Sequence, residues 1–95
     1  MKLNTKVIKD SYSILDEDEY IGVNSEKAIT ITLPEMPMEG NVILIKAEMA
    51  APMAGRKIAI VSKTNALIDG YASHVIQVSN DSVQLIYHTG SWHVI

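Results

Sequence analysis

The chain has no cysteine and no phenylalanine in its 95 residues. Without thiols there is no disulfide framework, no thiol nucleophile and no cysteine-based metal site. Glycine is sparse, five residues in all, and each stands alone at a turn, so no glycine-rich phosphate loop exists. Basic residues are few and scattered, eight against eleven acids for a formal net charge of −3. A nucleic-acid interface needs a basic stripe, and none is present. No apolar run approaches the roughly 18 residues of a membrane span. Met1 to Lys6 is not followed by the apolar core of a signal peptide. Neither nucleic acid nor membrane is therefore expected as a partner.

What the chain does have is aliphatic mass. It is 47% hydrophobic and only 20% charged, with one Trp and four Tyr. The length allows a single β-domain over 1–95, with 1–11 as an N-terminal arm or first strand. A chain this short has a modest core. The aliphatic excess points to an oligomer that buries apolar surface between chains.

The order of turns and β-formers is regular. Val7-Ile8, Tyr12 to Leu15 and Tyr20 to Val23 read as strands, separated by the acidic turn Asp16-Glu17-Asp18-Glu19. Ala28 to Leu33 alternates strictly, with Ile29, Ile31 and Leu33 on one face and Thr30 and Thr32 on the other, and Pro34 ends it. Val42, Ile43, Leu44 and Ile45 are four consecutive aliphatics, which predicts a strand covered on both faces, centrally or at a subunit interface. Ala47 to Gly55 reads as a loop, Lys57 to Val61 as a strand, Asp69-Gly70 as a turn and His74 to Val78 as a strand.

The chain closes on Ser82-Val-Gln-Leu-Ile-Tyr-His-Thr-Gly-Ser-Trp-His-Val-Ile95. Two runs of β-formers flank Thr89-Gly90, the pattern of a hairpin with a two-residue turn. That register sets Tyr87 opposite Trp92 and Leu85 opposite Val94 on one face, with Ile86 opposite His93 and His88 opposite Ser91 on the other. With no polar tail, the last residues are expected to be paired or packed. Turn signals every 8–12 residues and the lack of a helix long enough for a crossover predict an all-β fold. Its form is an antiparallel β-sandwich or compact barrel.

In this order the segments resemble a recurrent module of tailed-bacteriophage virion proteins, found in tail fibres and tail spikes. The likeness runs over residues 12–95. Asp18-Glu19-Tyr20-Ile21-Gly22-Val23 matches its "D-x-Y-I-x-V" strand, and Thr30-Ile31-Thr32-Leu33-Pro34 its "T-I-T-L-P" strand. Gly40 and Val42 to Lys46 match a glycine turn and a "V-x-I-K" strand. Ile58 to Val61 and Ile68-Asp69-Gly70 follow, and Ser82 to Ile95 matches almost residue for residue a "S-V-x-L-I-x-x-G-x-W-x-V-I" ending, with one residue more before Gly90. The chain departs from it at Ala47, where the family often has Asp, and in a Met/Ala-rich loop (Met49, Ala50, Ala51, Met53, Ala54) where the family is Gly/Asn-rich. The resemblance implies a non-enzymatic virion protein, assembled in the host cytoplasm and trimeric. Its place is the tail, at a fibre or baseplate tip, and its partners are itself, other virion proteins and a host surface glycan. A capsid decoration protein and a small carbohydrate-binding module are the alternatives.

The chemistry-bearing residues fit a structural role. The three histidines, His74, His88 and His93, lack a His-x-His pair or acidic partners at ligand spacing. The acidic run at 16–19 has no glycine to shape a calcium loop. No G-x-S-x-G or similar nucleophile motif occurs. We expect no catalytic residue, no metal and no cofactor. The expected oligomer interface is Val42, Ile43, Leu44, Ile45, Met49 and Met53, since contiguous aliphatics and adaptable Met suit contact surfaces. Met36 and Met38 lie on a second loop with the same character. Tyr71, His88 and His93 are the expected surface-binding residues, with Tyr71 as a sugar-stacking ring beside the Asp69-Gly70 turn. Tyr12, Tyr20, Tyr87 and Trp92 are the other aromatics of such a platform, with core or interface packing as the competing role of Tyr20, Tyr87 and Trp92.

Overall fold

Period-two burial runs through the longer segments that the sequence marks as strands, and the computed structural model shows why. It describes residues 2–48, 56–64 and 66–95, and these contain nine strands and no helix. In chain order they are β1 (Thr5–Ile8), β2 (Tyr12–Ser13), β3 (Tyr20–Val23), β4 (Ile29–Leu33), β5 (Val42–Ala47), β6 (Ile58–Ser62), β7 (Ser73–Ile76), β8 (Ser82–His88) and β9 (Ser91–Val94). One sheet has the order β1-β3-β5-β8-β9 and the other β2-β4-β6-β7. The sheets are open and pack face to face, so the fold is the sandwich and not the barrel.

The pairing corrects one expectation. β5–β8, β6–β7 and β8–β9 are antiparallel, but β1–β3, β3–β5, β2–β4 and β4–β6 are parallel. A parallel pair needs a crossover, and the sequence has no helix to make one. Here a strand of the opposite sheet serves instead. The chain passes from sheet to sheet through β1 to β6, so Thr5 lies opposite Tyr20 and Tyr20 opposite Leu44, while Tyr12 lies opposite Ile31 and Ile31 opposite Ile60. Each turn of this coil adds one rung to both sheets. Antiparallel β7, β8 and β9 then finish them.

The core fills the gap between the sheets. Among the described residues it holds Ile8, Ile21, Ile31, Ile43, Ile45, Ile58, Ile60, Ile68, Leu85 and Trp92, with other aliphatics. Isoleucine dominates because a β-branched side chain packs well on a pleated surface and has little rotamer freedom to lose. Tyr87 and Trp92 face each other in the predicted register, their rings in an edge-to-face arrangement 5.3 Å apart. Trp92 is fully buried, at 0% exposure.

The two ends of the five-stranded sheet are treated differently. Beyond β9, segment 67–69 runs alongside it: Trp92 N–H donates to Leu67 O (2.8 Å), Asp69 N–H to Trp92 O (2.9 Å) and Val94 N–H to Asp69 Oδ1 (3.2 Å). These bonds satisfy backbone groups that an edge strand would leave open. At the other end β1 is short, and Lys6 points inward over the Tyr12 ring.

Candidate functional site

The outer face of the five-stranded sheet is built from the residues that alternate with the core. In β5 the burial pattern places Ile43 and Ile45 fully inside, and Val42 and Leu44 half-exposed outside. Within the single chain the run is covered on its inner face only, so the expectation of a strand held centrally between two layers is corrected, and cover on the outer face would need a second chain. A sandwich has only two layers, so each sheet has one wet face. It follows that Ile43 and Ile45, offered above as contact residues, already lie in the core of the single chain, and only Val42 and Leu44 face outward. Met49 and Met53 lie outside the described residues.

Register extends the outward face beyond β5. Val42 lies opposite Ile86, and Ile86 opposite His93. Leu44 lies between Tyr20 and Gln84, and Ile95 N–H donates to Gln84 O at 2.8 Å, which brings Ile95 into the same row. Val42, Leu44 and Ile86, each half-buried, and the exposed Ile95 just past β9 therefore share one outer face as an apolar band, with Gln84 between Leu44 and Ile95 and His93 beside Ile86. Sequence reasoning missed Ile86 and Ile95 as members, because the β5–β8 pairing joins segments about forty residues apart. Tyr20 borders the band and donates its hydroxyl to Glu48 Oε2. This bond, with burial, pushes the Tyr20 hydroxyl up to about 12. The Glu48 carboxylate fills the space over Gly22, where a Cβ would collide with it.

The hairpin tip carries a polar cluster. Thr89 and Gly90 have φ of 52° and 80°, the left-handed pair of a type I′ turn. Glu39 reaches it from the β4–β5 loop: Thr89 N–H donates to Glu39 Oε1 (3.0 Å), and His88 Nδ1 lies 2.5 Å from Glu39 Oε2. The backbone N–H and then the His88 ring hold the Glu39 carboxyl below its ordinary value. The His88 and His93 rings are 6.1 Å apart, and His93 Nδ1 lies 3.8 Å from Asp69 Oδ1. The structure thus brings His88 and His93 together. Tyr71 stands on the neighbouring Ile68–Tyr71 turn with 73% of its surface exposed.

Of the other aromatics considered for sugar stacking, Trp92 is in the core, Tyr87 packs against it, and Tyr12 and Tyr20 are tied to carboxylates. The acidic run is structural in part. Asp18 is buried and accepts from Tyr12 Oη (2.5 Å) and Leu15 N–H (2.9 Å), and Glu19 Oε1 accepts from Asn4 N–H (2.9 Å). Among the described residues no group of three or more His, Asp or Glu side chains converges in a metal-binding arrangement.

Fold and surface together define a two-sheet β-sandwich with a parallel coil at one end, an antiparallel finish at the other and an apolar band across one outer face. No protein-family model matches the chain, and the search of curated proteins finds no match to it.

Proposed function

We propose that the chain is a non-enzymatic structural module that self-associates through the outer face of its five-stranded sheet. In the same proposal it is a trimeric virion component of a tailed phage, at the tail. The observation that carries the assembly reading is the group Val42, Leu44, Ile86 and Ile95: three half-buried aliphatics and an exposed one on the outer face of the sheet. Contiguous exposed apolar area on a small protein marks a contact surface. The virion and tail assignment rests on the ordered sequence resemblance over residues 12–95.

Light scattering behind a sizing column tests the assembly. The wild-type chain is expected at a multiple of 10.4 kDa, near three. Leu44→Asp and Ile86→Asp keep the β fold and drop the mass to one chain. Ile43→Asp unfolds it, because that side chain lies in the core with 0% exposure. A wild-type mass of one chain overturns self-assembly, and so does a Leu44→Asp/Ile86→Asp double variant with unchanged mass.

A second reading, glycan contact at a receptor-binding tip, draws support from Tyr71. Its ring is exposed on the turn that carries Asp69, whose carboxylate lies 3.8 Å from His93 Nδ1. A glycan array with wild type and Tyr71→Ala tests it. Signal lost in the variant supports it, and no signal in either overturns it.

A further inference from the structure

At the hairpin end of the sandwich, the β2–β3 and β4–β5 connections form two adjoining hollows. One, of about 610 Å³, is lined by Met36, Met38 and Gly40; the other, of about 360 Å³, by Ile14, Leu15 and Pro34. Asp16 and Met36 line both, so the hollows form one groove. Met36 is 83% exposed, Met38 79% and Leu15 48%. These are large apolar side chains held in water on either side of a concave surface. Methionine is the side chain best suited to adapt to a partner's shape.

The rim of the groove has one sign. Asp16, Glu17, Glu35 and Glu39 surround it. Glu35 meets Lys63 at 3.5 Å and Glu39 meets His88, but Asp16 and Glu17 make no side-chain ion pair or hydrogen bond among the described residues. The opposite end of the sandwich is balanced: its hollow holds Lys9, Asp10, Glu26 and Lys27, and Lys27 Nζ already meets Asp10 Oδ1 at 2.6 Å. That end of a second copy brings two acids along with its two lysines, so it complements an acidic rim poorly. The complementary occupant is basic, with apolar side chains that fit between Leu15 and the methionines.

We propose that this groove docks a segment of another protein carrying lysine or arginine next to leucine-like side chains. Its apolar residues lie against Leu15, Met36 and Met38, and its cations pair with Asp16 and Glu17. The surface is separate from the sheet face proposed for self-association, so one chain can engage its own copies and a second protein at once.

The test is a titration of the full chain with ¹³C-methyl-labelled methionine, followed by NMR. The probe is a short peptide of alternating lysine and leucine, and the control replaces lysine with glutamate. The Met36 and Met38 methyl signals are expected to shift saturably with the lysine peptide and not with the control. The Kd is expected to weaken about tenfold in Asp16→Asn/Glu17→Gln, whose fold is checked by circular dichroism. Higher salt weakens it further. Leu44→Asp keeps the response, which separates this surface from the self-association face. Unmoved methyl signals, equal responses to both peptides, or shifts that follow protein concentration without peptide would each overturn the proposal. The last of these would make a second copy the occupant.

Discussion

Lys6 carries its ammonium to 5.2 Å from the centre of the Tyr12 ring. The two residues belong to edge strands of opposite sheets, so the contact spans the gap where the coil begins. It covers the exposed end of the core with a cation over an aromatic face. The geometry also places a charge inward on an edge strand, a device that discourages pairing with another chain.

Lys6→Val is therefore expected to leave the fold intact but to promote aggregation, read as rising light scattering with concentration. Lys6→Ala removes an exposed cation–π contact of about 0.5–1 kcal/mol. A Lys6→Val protein that stays dispersed like wild type would show that the short edge alone is protection enough.

Trp92 anchors the hairpin against the core, and its Nε1–H is buried without a partner among the described residues. Trp92→Ala is expected to cost about 3–5 kcal/mol, a large share of the ~5–15 kcal/mol typical of a small domain. Trp92→Phe keeps most of the apolar contact and removes an unsatisfied donor, which by itself costs about 1–3 kcal/mol. Its loss is expected to be the smaller by a clear margin. Chemical denaturation of the three proteins checks the order, and equal losses would place the cost in something other than the cavity.

Thr89 holds φ of 52°, a left-handed conformation that a β-branched residue adopts poorly. Thr89→Asn keeps the backbone N–H that binds Glu39 and suits the first centre of a type I′ turn. The expected gain is about 1 kcal/mol, or roughly 4–8 °C in Tm for a domain of this size. Scanning calorimetry reads it, and an unchanged Tm would mean that the turn carries no strain.

Two tyrosines link stability to alkaline pH. Burial, followed by the hydrogen bond to Asp18, pushes the Tyr12 hydroxyl up to about 12, and Tyr20 reaches about 12 through its bond to Glu48. The folded state therefore holds these protons more tightly than the unfolded state, whose value is near 10. Their stabilisation is complete below pH 10 and is lost as pH rises toward 12. Denaturant midpoints should fall over that window in wild type and less steeply in Tyr12→Phe/Tyr20→Phe.

Glu39 has the opposite sign. Its value is lowered by Thr89 N–H and His88, so its contribution is present above about pH 4.5 and is lost as pH falls through the lower folded value. Glu39→Gln should flatten that part of the acid limb. An acid limb identical to that of wild type would remove Glu39 from the account.

Much of the fold was legible in the residues. Ile29, Ile31 and Leu33 alternate with Thr30 and Thr32 because one face is dry and one wet, and burial follows that alternation. The terminal hairpin was legible down to its register, Tyr87 with Trp92 and Leu85 with Val94, because a two-residue turn leaves only one way to count. The candidate surface was less so. Val42 to Ile45 was visible as an aliphatic run, but which of its residues faced water was not, since four apolar residues in a row carry no alternation to read.

The sequence by itself determined the strands, their turns and the last hairpin, because these depend on neighbours a few residues apart. Tertiary structure alone decided that β1 to β6 wind as a parallel coil, since a strand that crosses over looks the same in sequence as one that turns back. It decided that Ile86 and Ile95 join Val42 and Leu44 in one band, through a long-range register that local patterns do not encode. And it set Leu15 beside Met36, where residues distant in the chain meet because both connections leave the sandwich at the same end.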